Sequence, residues 1–420
     1  MIAAALVAAA LATAEPSRDS SAVSAARQAV PSPAQAGPVS YEDAVKLARA
    51  GHTVEALAAF RALVARNPND FDSAVYVGRL LARTGRAAEA VAIYQDVIAR
   101  SPGHVDARVA LAAALVNLGR VDEAWAAVQD AEALAPASGD VQAIKGRVLR
   151  RLGRPSEALV ALDRAHDASP DDDDVGIVRE RTARLVAHRA HVSYARESSA
   201  DGIPEASIVD ADVDLHVDDG LRVNGRVQWQ SRAGDDDTRA GLGSEFRLAR
   251  HVLGRAAVMA SPGSPRVAQA DVFGELEFAS GRTQPAIGIR YLHFAAARVW
   301  IVAPSIAVDV TDNVAVAVRY YRSQSEFLPS GQTAANDSYA LMGRWQATRR
   351  FGVSGAYARG NESFDILSVD RLGRFRADTA AGGFRIDLPS LTSIAVGVEH
   401  QWRTGDRQLT RVTLDFVQHF

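Results

Sequence analysis

The sequence predicts a two-domain protein, an all-α helical solenoid followed by an antiparallel transmembrane β-barrel of about 14 strands (roughly 12–16 possible). Three observations support this prediction. Small residues and prolines recur every 34 residues in the first part of the chain. Apolar and polar residues alternate along strand-length segments in the remainder. The connections between those segments alternate between short and long, as in barrels that cross a membrane.

The beginning of the chain is typical of an exported protein. Residues 1–14 are an apolar run that ends in Ala12, Thr13 and Ala14, the form of a signal-peptidase site, although no Lys or Arg precedes the run. We therefore expect a signal peptide at 1–14. Residues 15–39 are rich in Ser, Ala, Pro and Gln, which predicts a flexible linker. The absence of cysteine is compatible with export.

A repeat with a fixed period follows at 40–190. Three sets of residues recur at 34-residue spacing: Gly51, Gly85, Gly119 and Gly153; the Glu-Ala pairs starting at Glu55, Glu89, Glu123 and Glu157; and Pro68, Pro102, Pro136 and Pro170. The glycine permits a turn between two helices, the alanine lets the helices pack closely, and the proline ends the second helix. The pattern resembles the tetratricopeptide repeat.

The resemblance implies four repeats and a closing helix, which we place at Val175–Ala190. The acidic run 171–174 that precedes this helix could form a cation site, but acidic residues are favoured at any helix N-terminus, and we prefer that interpretation. The repeats contain no nucleophile with a base and no metal-ligand spacing. Their concave face is expected to bind a peptide or a polymer.

From residue 191 to 420 the hydrophobic period changes to two, which predicts β-strands. Fourteen strands are predicted: His191–Glu197, Ser207–Val217, Leu221–Gln230, Ala240–Ala249, Val252–Ala260, Gln269–Ala279, Pro285–Phe294, Arg298–Val308, Val314–Ser323, Ser338–Ala347, Phe351–Arg359, Phe375–Asp387, Thr392–Arg403 and Gln408–Phe420. Most of them have the ~9–11 residues that a tilted strand needs to cross a bilayer.

The connections predict an orientation. Short ones, such as Arg250-His251 and Gly281-Arg282, alternate mostly with longer ones: Gly234–Thr238, Ser261–Ala268, Glu326–Asn336 and Gly360–Gly373. Short turns of such barrels face the periplasm and long loops face outward. Aromatic belts mark both boundaries of the membrane. By this topology Trp229, Trp300 and Trp402 lie at the outer boundary and Trp345 at the inner one.

The alternation predicts which charges face the lumen. A three-residue loop ending at Gly220 would pair Val217 with Leu221 and place Asp212 opposite Arg226. The predicted lumen track comprises Asp210, Asp212, Asp214, Arg222, Arg226, Glu245, Arg247, Arg290, Arg319 and Glu399. Two interpretations remain open. The track binds sugar hydroxyls or selects ions, or its members are cross-strand ion pairs that stabilise the wall.

The last strand is predicted to close the barrel. Val412, Leu414 and Phe416 alternate with polar residues, and the chain stops at Phe420 without a polar tail. A closing strand that ends in an aromatic girdle has this pattern. The chain from about 190 to 420, with helical repeats before it, resembles the YaiO-like outer-membrane β-barrel family. Two features depart from a regular barrel strand: Gln418, and Pro304, whose missing N–H should leave a gap in the ladder.

The resemblance implies a location in the Gram-negative outer membrane, with the repeats in the periplasm and insertion by the barrel assembly machinery. The plan of repeats followed by a barrel is also similar to that of exopolysaccharide exporters of Gram-negative envelopes. This similarity implies a non-enzymatic protein that takes part in export or assembly of a surface polysaccharide, its repeats binding a periplasmic protein partner or the polysaccharide. The alternatives are a closed barrel that anchors a periplasmic interaction scaffold, and a general solute porin. A net charge of −3 gives no attraction to nucleic acid. No catalytic residues, metal site or cofactor are expected, because no catalytic motif is present.

Overall fold

A computed structural model describes residues 39–199, 204–265, 267–311, 313–360, 377–389, 391–405 and 407–420. The expected signal peptide, the linker before Val39 and most of the predicted loop Gly360–Gly373 lie outside the described residues. The chain divides into a helical unit and a β unit, which meet in sequence near Leu185–Val186. Each unit is described by itself.

The helical unit is a tetratricopeptide solenoid. Its helices in the described residues are α1 Tyr41–Arg49, α2 Thr53–Arg66, α3 Phe71–Arg83, α4 Ala87–Arg100, α5 Val105–Asn117, α6 Val121–Leu134, α7 Gly139–Arg151, α8 Pro155–Ala168 and α9 Asp173–Val186. Consecutive helices pack together as four pairs, α1 with α2, α3 with α4, α5 with α6 and α7 with α8. None of the described helices is long and apolar enough to span a bilayer.

The 34-residue pattern has the physical basis expected from the sequence. Each turn glycine has a positive φ, between 74° and 82°, which a residue with a side chain rarely adopts. The repeated alanines of α2, α4, α6 and α8 are fully buried. Close packing also requires Gly78, because a Cβ there would lie 2.4 Å from the buried ring of Tyr94. The small residues therefore set the spacing between helices.

The repeated glutamate has a partner that the sequence analysis did not identify. Arg86 and Glu89 form a two-bond ion pair at the start of α4, with N–O distances of 2.6 Å. The same pair recurs at the starts of α6 and α8, with Arg120 and Arg154 as the basic residues. These arginines are also 34 residues apart. Each pair joins the N-cap residue to the first helical turn.

A less exposed ion pair links two repeats. Lys145 on α7 donates to both carboxylate oxygens of Glu132 on α6, at 2.6 and 2.8 Å. The bond from Lys145 holds the pKa of the Glu132 carboxyl below its ordinary value. The repeats are therefore joined by charge as well as by apolar contact.

Helix α9 is shifted relative to its prediction. It begins two residues before Val175, where Asp172 Oδ1 accepts the backbone N–H groups of Asp174 and Val175. The acidic run therefore caps a helix, as we preferred from the sequence. The helix ends at Val186 instead of Ala190, because the backbone is already paired in the barrel from Arg189.

The β unit is a closed antiparallel barrel. Its strands in the described residues are β1 Arg189–Ser199, β2 Ala206–Asp218, β3 Leu221–Arg232, β4 Asp235–Ala249, β5 Val252–Ala260, β6 Ala270–Phe278, β7 Thr283–His293, β8 Ala297–Asp309, β9 Val314–Phe327, β10 Gln332–Gln346, β11 Phe351–Gly360, β12 Ala377–Asp387, β13 Thr392–Arg403 and β14 Arg407–His419. Each strand pairs with its neighbours in sequence, and β14 pairs with β1. The predicted fold class is confirmed.

Two predicted loops are wrong. Residues 235–238 belong to β4, and most of 326–336 belongs to β9 and β10, which leaves the connections 233–234 and 328–331. A charged residue next to the second segment is paired across the sheet. Asp337 of β10 accepts from Arg322 of β9, with an N–O distance of 2.7 Å. Such cross-strand pairs allow the ladder to continue beyond the apolar part of the strands.

The strand pairing can be compared with the prediction at β2–β3 and at Pro304 of β8. Asp218, not Val217, pairs with Leu221, because the register shifts after His216 and a two-residue turn follows. The predicted pairing of Asp212 with Arg226 is correct. On β8 the pairing with β9 is interrupted next to Pro304, as a missing N–H requires.

The outer surface of the barrel is apolar and aromatic. We call the end at which β1 begins the base and the opposite end the rim. Trp300 and Trp402 lie near the rim and Trp345 near the base, each about half exposed on the outward face. Outward ion pairs lie close to the rim: Arg196–Glu205, Arg298–Glu326, Arg322–Asp337 and Arg359–Asp378. Below them the exposed outward side chains are mostly Val, Leu, Ile and Phe.

Candidate functional site in the barrel lumen

The first cluster of lumen charges joins β2, β3, β4, β6 and β7. Arg226 donates to both oxygens of Asp210, at 2.6–2.9 Å, rather than to Asp212, its partner in the register. The amide of Gln228 also donates to Asp210 at 3.1 Å and accepts from Arg239 at 3.4 Å. The side chains lean along the strands, so the bonded partner is not the residue directly opposite.

The same cluster continues to β7 through a buried carboxylate. Asp271 accepts from Arg239 at 2.6 Å and from Arg290 at 2.7 and 2.9 Å. Asp271 and Arg239 are only 4% and 5% exposed. The predicted lumen residue Arg290 is therefore one end of a chain of hydrogen bonds that extends from β2 to β7, six of the fourteen strands.

A second cluster lies where β1 meets β2 and β14. The imidazole of His191 lies between two carboxylates, with Nδ1 2.8 Å from Asp212 and Nε2 3.1 Å from Asp415. Asp214 accepts from Arg222 at 2.6 Å. Because Asp415 is on the last strand, this cluster joins the two ends of the sheet.

One atom each from His191, Asp210 and Asp212 lies within 4.8 Å of the others, which is close enough for a metal ion. The carboxylates are already compensated by arginine, however. The guanidinium of Arg226 donates hydrogen bonds to Asp210, and that of Arg189 lies 3.5 Å from the carboxylate of Asp212. The arrangement is therefore an ion-pair network in which cationic side chains supply the positive charge.

A third cluster joins β4, β5, β6 and β9. Arg255 contacts three carboxylates, those of Glu245, Glu275 and Glu277, at 2.8–3.0 Å. Arg319 binds the other oxygen of Glu275 at 2.8 Å. The predicted residues Glu245 and Arg319 are thus linked through Arg255 and Glu275, which the sequence analysis did not select.

A fourth cluster crosses the closure of the barrel near the rim. Glu197 of β1 is 1% exposed and accepts from Arg411 of β14 at 2.5 and 3.0 Å. Arg232 of β3 binds the second carboxylate oxygen of Glu197. The predicted residue Glu399 lies 3.6 Å from Arg411. The alternation along β1 and β14 could have identified Glu197 and Arg411, because each lies at a lumen-facing position of its strand.

Arg247 is separate from these clusters. It is exposed at the base, where its guanidinium lies 3.5 Å from the backbone carbonyl of Asp219 in the β2–β3 turn. The predicted residues therefore form several local networks and not one continuous track. The alternation along a strand tells whether a residue faces the lumen. Its bonding partner depends on its position along the barrel axis and on the direction of its side chain.

The rim half of the lumen is packed. An apolar cluster of Leu292, Val299 and Ile301 faces inward, and Ala268 of the β5–β6 connection packs against it. The same connection is held by Ser264, whose hydroxyl donates to Asp237 at 2.5 Å. Around the rest of the wall, buried inward residues at this height include Gln230, Ser325, Ser338, Thr379, Gln401 and Arg403.

The base half contains a cavity of about 720 Å³. Its lining comes from β7 to β14 and consists largely of small residues, such as Ala315, Gly352, Ser354, Ala381 and Gly383. Three of the inward residues here, Arg344, Ser354 and Arg385, are exposed. The lumen is thus open near the base and filled near the rim.

The predicted closing strand pairs on both sides. Val412, Leu414 and Phe416 pair with Arg196, Tyr194 and Val192 on β1, and all three are about half exposed on the outward face. Phe420 lies just beyond β14. Its backbone exchanges two 3.0 Å hydrogen bonds with His188. The two ends of the barrel sequence are therefore joined along their whole length.

Comparisons with known proteins agree with the helical part. Two tetratricopeptide-repeat family models match residues 41–105 and 81–148. A thermophilic TPR protein of Thermus thermophilus is 22% identical over 33% of this chain and 77% of its own, with a TM-score of 0.32. MamA from Desulfovibrio magneticus RS-1 is 20% identical over 34% of this chain and 80% of its own, with a TM-score of 0.29.

For the β unit, a bacterial polysaccharide outer membrane secretin is similar over 56% of this chain and 99% of its own. The identity is 8% and the TM-score is 0.40. No curated protein matches the chain. The family matches and the sheet topology together describe a tetratricopeptide solenoid followed by a closed β-barrel.

Proposed function

We propose that this chain is a Gram-negative outer-membrane protein of the YaiO-like kind. The barrel, at about 191–420, would be inserted by the barrel assembly machinery, and the repeats, at about 40–190, would lie in the periplasm. The supporting observation is the segregation of side chains on a closed sheet. Ion pairs lie on the inner face of the sheet, and an apolar belt with tryptophans near both ends covers the exterior. Lipid favours this arrangement and water does not.

We further propose a non-enzymatic role in the export or assembly of a surface polysaccharide. The repeats would bind a periplasmic protein partner or the polymer, because stacked helix pairs present an extended concave surface. The ion-pair clusters of the lumen would brace the wall around the cavity. Nucleic acid is not an expected partner, since the net charge is −3.

A second candidate function is a closed barrel that anchors the repeats in the membrane. The packed rim half favours this candidate, since the inward side chains of Glu197, Arg239 and Leu292 are at most 5% exposed. Single-channel recording separates the two candidates. A barrel that passes a polymer should conduct, at least after its rim connections are shortened. A barrel that is only an anchor should not conduct even then.

The location is tested with single cysteines, since the chain has none of its own. Pro329→Cys places a thiol at the rim and Arg349→Cys places one at the base. On intact cells, a maleimide too large to cross the envelope should label only the rim cysteine. After the outer membrane is permeabilised, both should react. Labelling of neither rim nor base on intact cells, together with extraction by carbonate, would contradict an outer-membrane barrel.

A further inference from the structure

The cavity at the base contains a cation and a hydroxyl side by side. Arg344 on β10 and Ser354 on β11 are directly opposite in the ladder. Both line the cavity and both are exposed. Opposite residues on one face of an antiparallel pair have Cβ atoms about 5 Å apart, so one ligand group can contact both side chains.

Small residues flank this pair along the wall. Ala315 of β9 is opposite Arg344 on its other side, and Gly383 of β12 is opposite Ser354. Both line the cavity. The Arg344–Ser354 pair therefore has open space on each side, and a ligand can approach the backbone of the flanking strands.

The charges around the cavity leave Arg344 uncompensated. Arg385 lies 3.2 Å from Asp387, Glu399 lies 3.6 Å from Arg411, and Asp415 contacts His191. Among the described residues, the guanidinium of Arg344 has no ion pair or hydrogen-bond partner, although it shares the cavity with these groups. Arg344 is thus a free positive charge inside the cavity, whereas the exposed Arg247 is not among the residues that line the cavity.

We propose that Arg344 and Ser354 form a binding site for an anionic substituent of a saccharide, a carboxylate or similar oxyanion. The site is reached from the base. The planar guanidinium donates two parallel hydrogen bonds to a carboxylate, and the serine hydroxyl donates a third. The saccharide part rests on the proposed function, whereas the preference for an anion follows from the charges of the cavity. The polymer that enters the barrel is then expected to be acidic and not neutral.

The test uses one reporter cysteine in the full chain. Ala381 lines the cavity on β12, and its neighbour Ala380 has the opposite facing. Ala381→Cys is labelled in detergent micelles with an anionic and a cationic methanethiosulfonate, and Ala380→Cys is the control. Arg344→Gln should lower the ratio of the anionic to the cationic rate at residue 381 by about fivefold, as expected for loss of one nearby charge. Arg349→Gln, an exposed arginine of the base turn, should leave the ratio unchanged.

Saccharides then compete with the label. Trigalacturonic acid should slow labelling of residue 381 by about fivefold or more, maltotriose should not, and both Arg344→Gln and Ser354→Ala should reduce the protection. Heat-dependent migration on gels checks that each variant is folded. Equal protection by both sugars, whatever the residue at 344, would overturn the anion site while leaving a polysaccharide role intact. Absence of protection by either sugar would also overturn it. Failure of the rim-labelling experiment would instead contradict the membrane location.

Discussion

Glu197→Gln should destabilise the barrel far more than a substitution of the same kind at the surface. The Glu197 side chain is 1% exposed and compensates two arginines, Arg411 at 8% and Arg232 at 14% exposure. The amide of glutamine keeps the volume but removes the charge and directs N–H groups toward guanidinium. Breaking a buried ion pair from one side costs about 3–5 kcal/mol, since the buried guanidinium groups lose their nearest negative charge, although Glu399 remains 3.6 Å from Arg411. A loss of about 3 kcal/mol lowers the folding equilibrium constant more than 100-fold.

The matched control is Glu326→Gln near the rim. Glu326 lies 3.8 Å from Arg298, and both side chains are about half exposed, so its contribution is about 0–1 kcal/mol. The measurement is the free energy of unfolding in urea, with the barrel folded into lipid vesicles and followed by tryptophan fluorescence. If both variants lose the same free energy, Glu197 is not a buried brace across the closure, and the reasoning about the interior is refuted.

Three further predictions concern the repeats and the outer surface. Gly78→Ala should destabilise the solenoid by about 1–3 kcal/mol in thermal unfolding, because the new methyl group overlaps a buried tyrosine ring, whereas Gly176→Ala on α9, with open space around it, should be neutral or stabilising. Glu132→Gln should reduce the loss of stability that acid causes as the pH falls below about 4.3. The pKa of this carboxyl is lowered by its lysine partner, so the stabilisation is present above the unfolded pKa of about 4.3 and disappears as the pH falls through the folded pKa. Leu414→Arg should cost about 2–4 kcal/mol in vesicles, and Thr413→Arg, with the opposite facing on the same strand, should cost less; equal costs would contradict a lipid-facing surface.

The sequence predicts the architecture well because both periods are strictly kept. Gly85, for example, must have a positive φ in the turn between two helices. The alternation along β2 allows only one assignment of its side chains to the two faces of a closed sheet. Strand ends are less predictable. Asp237 lies in a segment predicted as a loop, but it belongs to β4 and is 8% exposed, and the hydroxyl of Ser264 donates to it from a connection 27 residues away. That distant contact leaves no local signal in the sequence.

The candidate site was only partly predictable. The alternation along the strands assigns Asp210 and Arg226 to the lumen. That Arg226 binds Asp210 and not Asp212 depends on the direction of the side chains and on the contact of His191 with Asp212. The cavity could not be foreseen, because it depends on which inward residues lie at the same height on β7 to β14. Arg344 becomes distinctive only when the partners of its neighbours are known.

The pairing of β1 with β14 imposes an order on assembly. Neighbouring hairpins join residues close in sequence, but Arg189 must meet His419, 230 positions later. Contacts of such long range form slowly, because a large loop must be ordered first. The cylinder thus cannot seal until the last strand has been synthesised and delivered. A chain cut short before β14 would expose two unsatisfied edges, which would mark it as incomplete to any protease or chaperone that recognises open strands.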